Sequence, residues 1–220
     1  MKRINPKRYK LIGRLSAYAV LCTLLVSCDD NRLARELNGT WRGSVSTSYD
    51  DQSQERQTIF ATFLYDKDGD TDGGTLVEER KIKMTNMDLD DYTADAVYHS
   101  RIEGTWEVIW GDSYIYYDVS SLQVTVNEKE VNIHWQSISQ PFNALSDFLS
   151  YGYNVKTDLT RQLQKNAYSE LFKSYKEDAA QAEDAPYVDL KVNGNSMSYE
   201  TSDVGQLTFT RISGNDNHIR

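Results

Sequence analysis

Between Trp41 and Trp135 apolar and polar residues alternate with period two. Trp41, Gly43, Val45, Thr47 and Tyr49 fall on one side of an extended chain, and Arg42, Ser44, Ser46, Ser48 and Asp50 on the other. That alternation predicts a half-buried strand. Residues 58–65 and 75–84, rich in β-branched and aromatic side chains, predict two more, separated by an Asp/Gly loop at 66–74. A polar loop is expected at 86–91. Residues 92–110 read as one long strand or two, with Gly104 as a bulge or break. Residues 114–126 follow, and then Val131, Ile133 and Trp135 alternate with Asn132, His134 and Gln136. Short strands in series before any helix predict an antiparallel barrel or sandwich.

Pro141 ends this rhythm. A short helix is expected over 142–149, with Pro141 in its first turn and Gly152 beyond its end. A longer one starts at Thr157 or Asp158. Its apolar positions Leu159, Leu163, Ala167, Leu171 and Tyr175 recur every fourth residue, an amphipathic stripe. The stripe predicts packing on the β structure; its polar face lacks the Lys/Arg excess that would draw it to anionic lipid. Residues 177–185 are acidic and Ala-rich. Alternation resumes at Val188, Leu190 and Val192, Asn193-Gly194 marks a hairpin turn, and 197–201 and 207–212 are the last strands.

The start of the chain has a different pattern. Lys2, Arg3, Lys7, Arg8, Lys10 and Arg14 precede an apolar run from Leu15 to Val26. The run is shorter than the roughly 20 residues needed to span a bilayer and fits a secretory signal. Leu25-Val26-Ser27-Cys28 resembles the cleavage site of bacterial lipoprotein signals, in which the Cys is lipidated and becomes the first residue. The alternative is an ordinary signal cut near Ser27. The resemblance implies three acyl chains (palmitate-type) on Cys28, a firm membrane anchor, and outer-membrane localisation. Asp29-Asp30 resembles a surface-export tag. Cysteine usage agrees: Cys22 leaves with the signal, so Cys28 has no disulfide partner.

The expected organisation is therefore a signal at 1–27, lipidated Cys28 and polar tether at 28–36, one domain at 37–212 with a helical insertion at about 141–185, and a tail at 213–220. Removing 1–27 would leave 193 residues, with 18 basic against 33 acidic side chains and a net charge near −15. Such a chain repels phosphate backbones, which argues against a nucleic-acid partner.

Leu37-Asn38-Gly39-Thr40-Trp41 opens the first strand, and Leu207, Phe209 and Arg211 share one face of the last. This Gly-x-Trp resembles the signature of the lipocalin superfamily. With "YDKDGD", "IEGTWEV" and "GQLTFTR", the chain is similar to lipocalin-like domain lipoproteins of the Bacteroidota type over roughly 36–137 and 187–212. The resemblance implies an up-and-down antiparallel β-barrel with the helical insertion added. In it Gly39, Trp41 and Arg211 form a structural closure, the cation covering the indole.

Asp68-Gly69-Asp70-Thr71-Asp72-Gly73, with Glu79 following, fits the calcium-loop pattern D-x-D-x-D-G-x5-E. Alternating carboxylates can wrap Ca²⁺ while the Gly makes the turn. The other reading is an acidic, soluble hairpin tip, since the flanks read as strands. Catalytic chemistry is poorly represented. His99, His134 and His218 lack ligand spacing for zinc, and no Ser sits in a nucleophile elbow or Ser-x-x-Lys context. A converging carboxylate pair cannot be read from sequence. No catalytic residue, and no cofactor beyond that possible Ca²⁺, is assigned. The expectation is a non-enzymatic binding module for a small apolar ligand, with Trp106, Trp110, Trp135 and Tyr114–Tyr117 lining a barrel interior or simply filling it. The alternatives are a protein-interaction subunit of an outer-membrane assembly and a sugar-binding module.

Overall fold

The computed structural model describes residues 30–50, 52–69, 71–89, 92–135, 145–181, 190–201 and 205–212. The expected signal at 1–27, Cys28 and the expected tail at 213–220 lie outside them. Residues 30–37 form a helix (α1) of about two turns, where the sequence reading expects a polar tether with room for one helical turn at its end. Leu33, Ala34 and Leu37 fall on one face, and Ala34 and Leu37 are fully buried against the sheet, which stabilises a segment too short to be helical alone.

Nine strands follow: β1 Gly39–Ser48, β2 Gln54–Tyr65, β3 Gly73–Leu89, β4 Tyr92–Ile109, β5 Asp112–Val126, β6 Asn132–Trp135, β7 Lys191–Asn193, β8 Ser196–Thr201 and β9 Gly205–Arg211. The helix α2, Leu145–Gln181, separates β6 from β7. Every ladder is antiparallel, in the order β5-β4-β3-β2-β1-β9-β8-β7. β6 prolongs the β5 edge: β5 pairs with 98–109 of β4 and β6 with 92–95.

Alternation is clearest in β4. Ala94, Ala96, Tyr98, Ser100, Ile102, Trp106 and Val108 are buried while the residues between them stay at least partly exposed. The strand runs through Gly104 without a break; the register shifts beside it, between Arg101 and Glu103, where β5 carries the extra residues. The loop expected at 86–91 is mostly strand. β3 continues past a bulge between Met84 and Met87, where Asn86 takes the left-handed conformation that Asn tolerates.

The sheet is open, not the closed barrel expected from the resemblance. Among the described residues no ladder joins β5 to β7. The helix supplies part of the missing cover. It packs along β5, Leu159 enters a cluster with Ile82, Ala96, Tyr98 and Val131, and Tyr175 enters the main core with Trp41, Ile102, Trp106 and Phe209. Leu163, Ala167 and Leu171 pack between them, so the predicted four-residue stripe is the buried face.

The helix is also longer than predicted. It is one 37-residue element through Gly152, not two helices divided there. A glycine inside a helix costs about 1 kcal/mol relative to alanine, which does not outweigh the packing of Tyr151 on Trp135 and of the stripe from Leu159 to Tyr175.

Candidate functional site

One end of the sheet is closed by α1, and the residues of the Gly-x-Trp motif meet there. Trp41 is fully buried and its indole Nε1 donates to the Leu37 carbonyl at 2.7 Å. The Arg211 guanidinium carbon lies 4.2 Å from the Trp41 ring centroid. That guanidinium also donates to the Asn38 carbonyl at 2.5 Å and to the Glu36 carbonyl. A cation on the last carbonyls of a helix is favoured by their unpaired lone pairs and by the helix dipole. Gly39 has φ +132°, and a Cβ there would stand 2.8 Å from Arg211 Nη1. The motif glycine is thus required both by the backbone and by the arginine.

The Asp-rich loop lies at the same end. Asp66 closes it through its backbone N–H to the Gly73 carbonyl at 2.9 Å and accepts from the Asp68 N–H at 3.0 Å. Asp72 accepts from Asn31 Nδ2 at 2.6 Å, and Asp70 lies outside the described residues. Glu79 does not come to the loop. It stands six residues beyond Gly73 on an extended strand, a rise of about 20 Å, and lies 4.0 Å from Arg101. A calcium loop curls its glutamate back onto the ion; here the strand begins at Gly73 and carries Glu79 away. Among the described residues no group of three or more His, Cys, Asp or Glu is placed to hold a metal ion.

Beneath α2 is a polar cluster that sequence reasoning missed. Glu78, 7% exposed, accepts from the Tyr175 hydroxyl at 2.6 Å, the Tyr117 hydroxyl at 3.0 Å and Arg80 Nε at 2.7 Å. The Arg80 guanidinium carbon is 5.1 Å from the Tyr175 ring centroid. Burial alone would lower the Arg80 pKa; the Glu78 carboxylate, Tyr175 and Tyr117 outweigh it and hold the group above its ordinary value. The clue was present in the alternation: Leu76, Glu78, Arg80 and Ile82 share one face of β3. The two histidines described pair separately, His99 with Glu130 at 3.2 Å and His134 with Asp95 at 3.3 Å.

A groove of about 520 Å³ runs between β6 and α2, lined by Val131, Ile133, Trp135, Gly152, Tyr153 and Lys156 among others. Aromatic rings cross its wall. Tyr92 and Trp135 are 5.2 Å apart and Trp135 and Tyr151 5.8 Å. A Cβ at Gly152 would meet nothing within 4 Å. The helix therefore carries its glycine where the groove is open. By contrast, the face of the sheet under the core is filled: Trp41, Trp106, Tyr175, Phe209, Leu76 and Ile102 are all below 2% exposed or at it. Trp106 and Tyr117, expected as cavity lining or filler, are mostly buried in the core, Trp106 also edging a groove beside the Asp-rich loop; Trp135 lines the β6–α2 groove and Trp110 stands exposed in the β4–β5 turn. No family model matches this chain, and no curated protein matches it.

Proposed function

We propose that this protein is an outer-membrane lipoprotein, held by acyl chains on Cys28, whose domain binds a small apolar ligand without catalysing a reaction. The observation that carries the binding reading is Gly152 facing the β6–α2 groove. A helix-interior glycine is unfavourable unless something requires the space. Here Val131, Ile133, Trp135 and Tyr153, with Asn132, His134 and Lys156 as polar groups, line an open groove of about 520 Å³, room enough for a small ligand laid along it. The antiparallel order and the Trp41–Arg211 pair support reading the domain as lipocalin-like, with α2 covering the β5 side that the open sheet leaves unpaired. The ligand site then lies beside α2 and not in the packed interior.

The test uses 1-anilinonaphthalene-8-sulfonate as the apolar probe and a plugged groove. Wild-type protein should bind the dye saturably, with energy transfer from tryptophan. Gly152→Leu should bind at least tenfold more weakly at a melting temperature no lower than wild type, because its side chain enters open space and leucine is the better helix former. Equal affinity in the two proteins would move the site elsewhere. A second reading, docking of a protein partner, is favoured by Tyr168 and Phe172. Their rings stack at 5.9 Å on α2 and both stay exposed.

A further inference from the structure

Trp110 has the most exposed large apolar side chain among the described residues, at 69%. It forms the β4–β5 turn with Gly111, between the paired residues Ile109 and Asp112. Its φ is +58° and that of Gly111 is +84°. Both central positions of such a turn need positive φ, which Asn, Asp and Gly supply readily. Tryptophan in that region is strained, and at this exposure packing returns little to offset the strain. The turn is nevertheless held firmly. Asp30 accepts from the Trp110 N–H at 3.0 Å and the Gly111 N–H at 2.7 Å.

Asp30 is the first described residue of α1, and Cys28 is two residues before it in the sequence. Two residues span at most about 7 Å, so on the lipoprotein reading acyl chains on Cys28 would start within that reach of Asp30. Ile109 and Leu64, both exposed, lie at the same end of the sheet.

We infer that Trp110 is a second membrane contact, its indole seated in the headgroup region of a zwitterionic bilayer next to the lipidated Cys28. The inference rests on the lipoprotein reading above. Indole suits that depth because its body is apolar while its N–H finds hydrogen-bond partners among headgroups. Acyl chains alone would leave the domain free to pivot about one point; a rigid indole tip beside them fixes which end faces the lipid. Asp30, Asp66, Asp68, Asp72 and Asp112 outnumber Arg32, Arg35 and Lys67 at this end, so anionic lipid should weaken the contact.

The test uses the full chain expressed in a Gram-negative host and reconstituted into phosphatidylcholine vesicles, with acylation of Cys28 read by mass spectrometry. Lipids brominated near the headgroup should quench a component of the tryptophan emission, and Trp110→Phe should abolish that component. Trp110→Asn, which also relieves the turn, should stay acylated and vesicle-bound, lose the component, and reorient more freely by fluorescence anisotropy. An acylated, vesicle-bound wild type whose Trp110 emission is unquenched would overturn the contact and leave the anchor reading standing. A chain with unmodified Cys28 that stays off vesicles would overturn both.

Discussion

Two arginines of this domain enter apolar surroundings, at opposite parts of the sheet, and are accommodated differently. At the end closed by α1, Arg211 lies over the Trp41 indole and donates to neutral carbonyls of Glu36 and Asn38. Under α2, Arg80 is paired with the buried Glu78 carboxylate, which two tyrosines also engage. The first arrangement asks for no second charge, so losing Arg211 removes an attraction and leaves only dipoles behind. The second sets a buried carboxylate against a half-buried guanidinium, and each depends on the other. Buried ion pairs of this kind contribute little over an apolar replacement, yet are destructive when halved.

The largest effect should therefore come from halving the pair. Glu78→Leu should lower stability by about 3–5 kcal/mol in urea denaturation, because Arg80 is left uncompensated. Combining it with Arg80→Met should recover most of that loss. A double variant as unstable as the single one would show that the network matters through its tyrosine contacts and not through charge.

At the closed end the expectation is milder. Arg211→Ala should cost about 1–2 kcal/mol, from the cation–π contact and the carbonyl hydrogen bonds together. Since both carbonyls terminate α1, amide exchange over 30–37 should quicken more than elsewhere. A variant that melts like wild type would make the closure decorative and erase the contrast between the two ends.

The smallest effect is absent at neutral pH. Burial in the α2-side cluster, with lesser contributions from Glu170 and Glu55, pushes the Tyr98 phenol up to about 12 from 10. Between those values the unfolded chain releases a proton that the folded protein keeps, so stability falls as pH rises from about 10 to 12 and levels off beyond. Tyr98→Phe should flatten that alkaline loss when thermal midpoints are compared across pH.

Much of this is legible in the order of side chains. The step of four from Leu159 to Tyr175 marks a buried helical face whatever the helix packs on, since periodicity is a local property. The placement of Trp41 and Arg211 on their strands was equally readable. Glu78 and Arg80 were harder, because a charged pair on an apolar face looks like a register error until Tyr117 and Tyr175 arrive from distant parts of the chain. Glu79 misled in the opposite sense: its spacing from Asp68 matches a calcium loop, but spacing along the chain becomes distance in space only once the backbone conformation is known. Gly152 looked like a helix stop because propensity alone says so, and tertiary packing overrode it.

The sequence by itself determined the antiparallel strand-rich plan, the amphipathic face of the long helix and the acidic balance, all consequences of side-chain order along a local backbone. Only the tertiary structure decided that the sheet stays open, that α2 shares its cover, that a glycine faces a groove and that a strained tryptophan projects beside α1. Those depend on which remote surfaces meet, and short-range periodicity carries no information about that meeting.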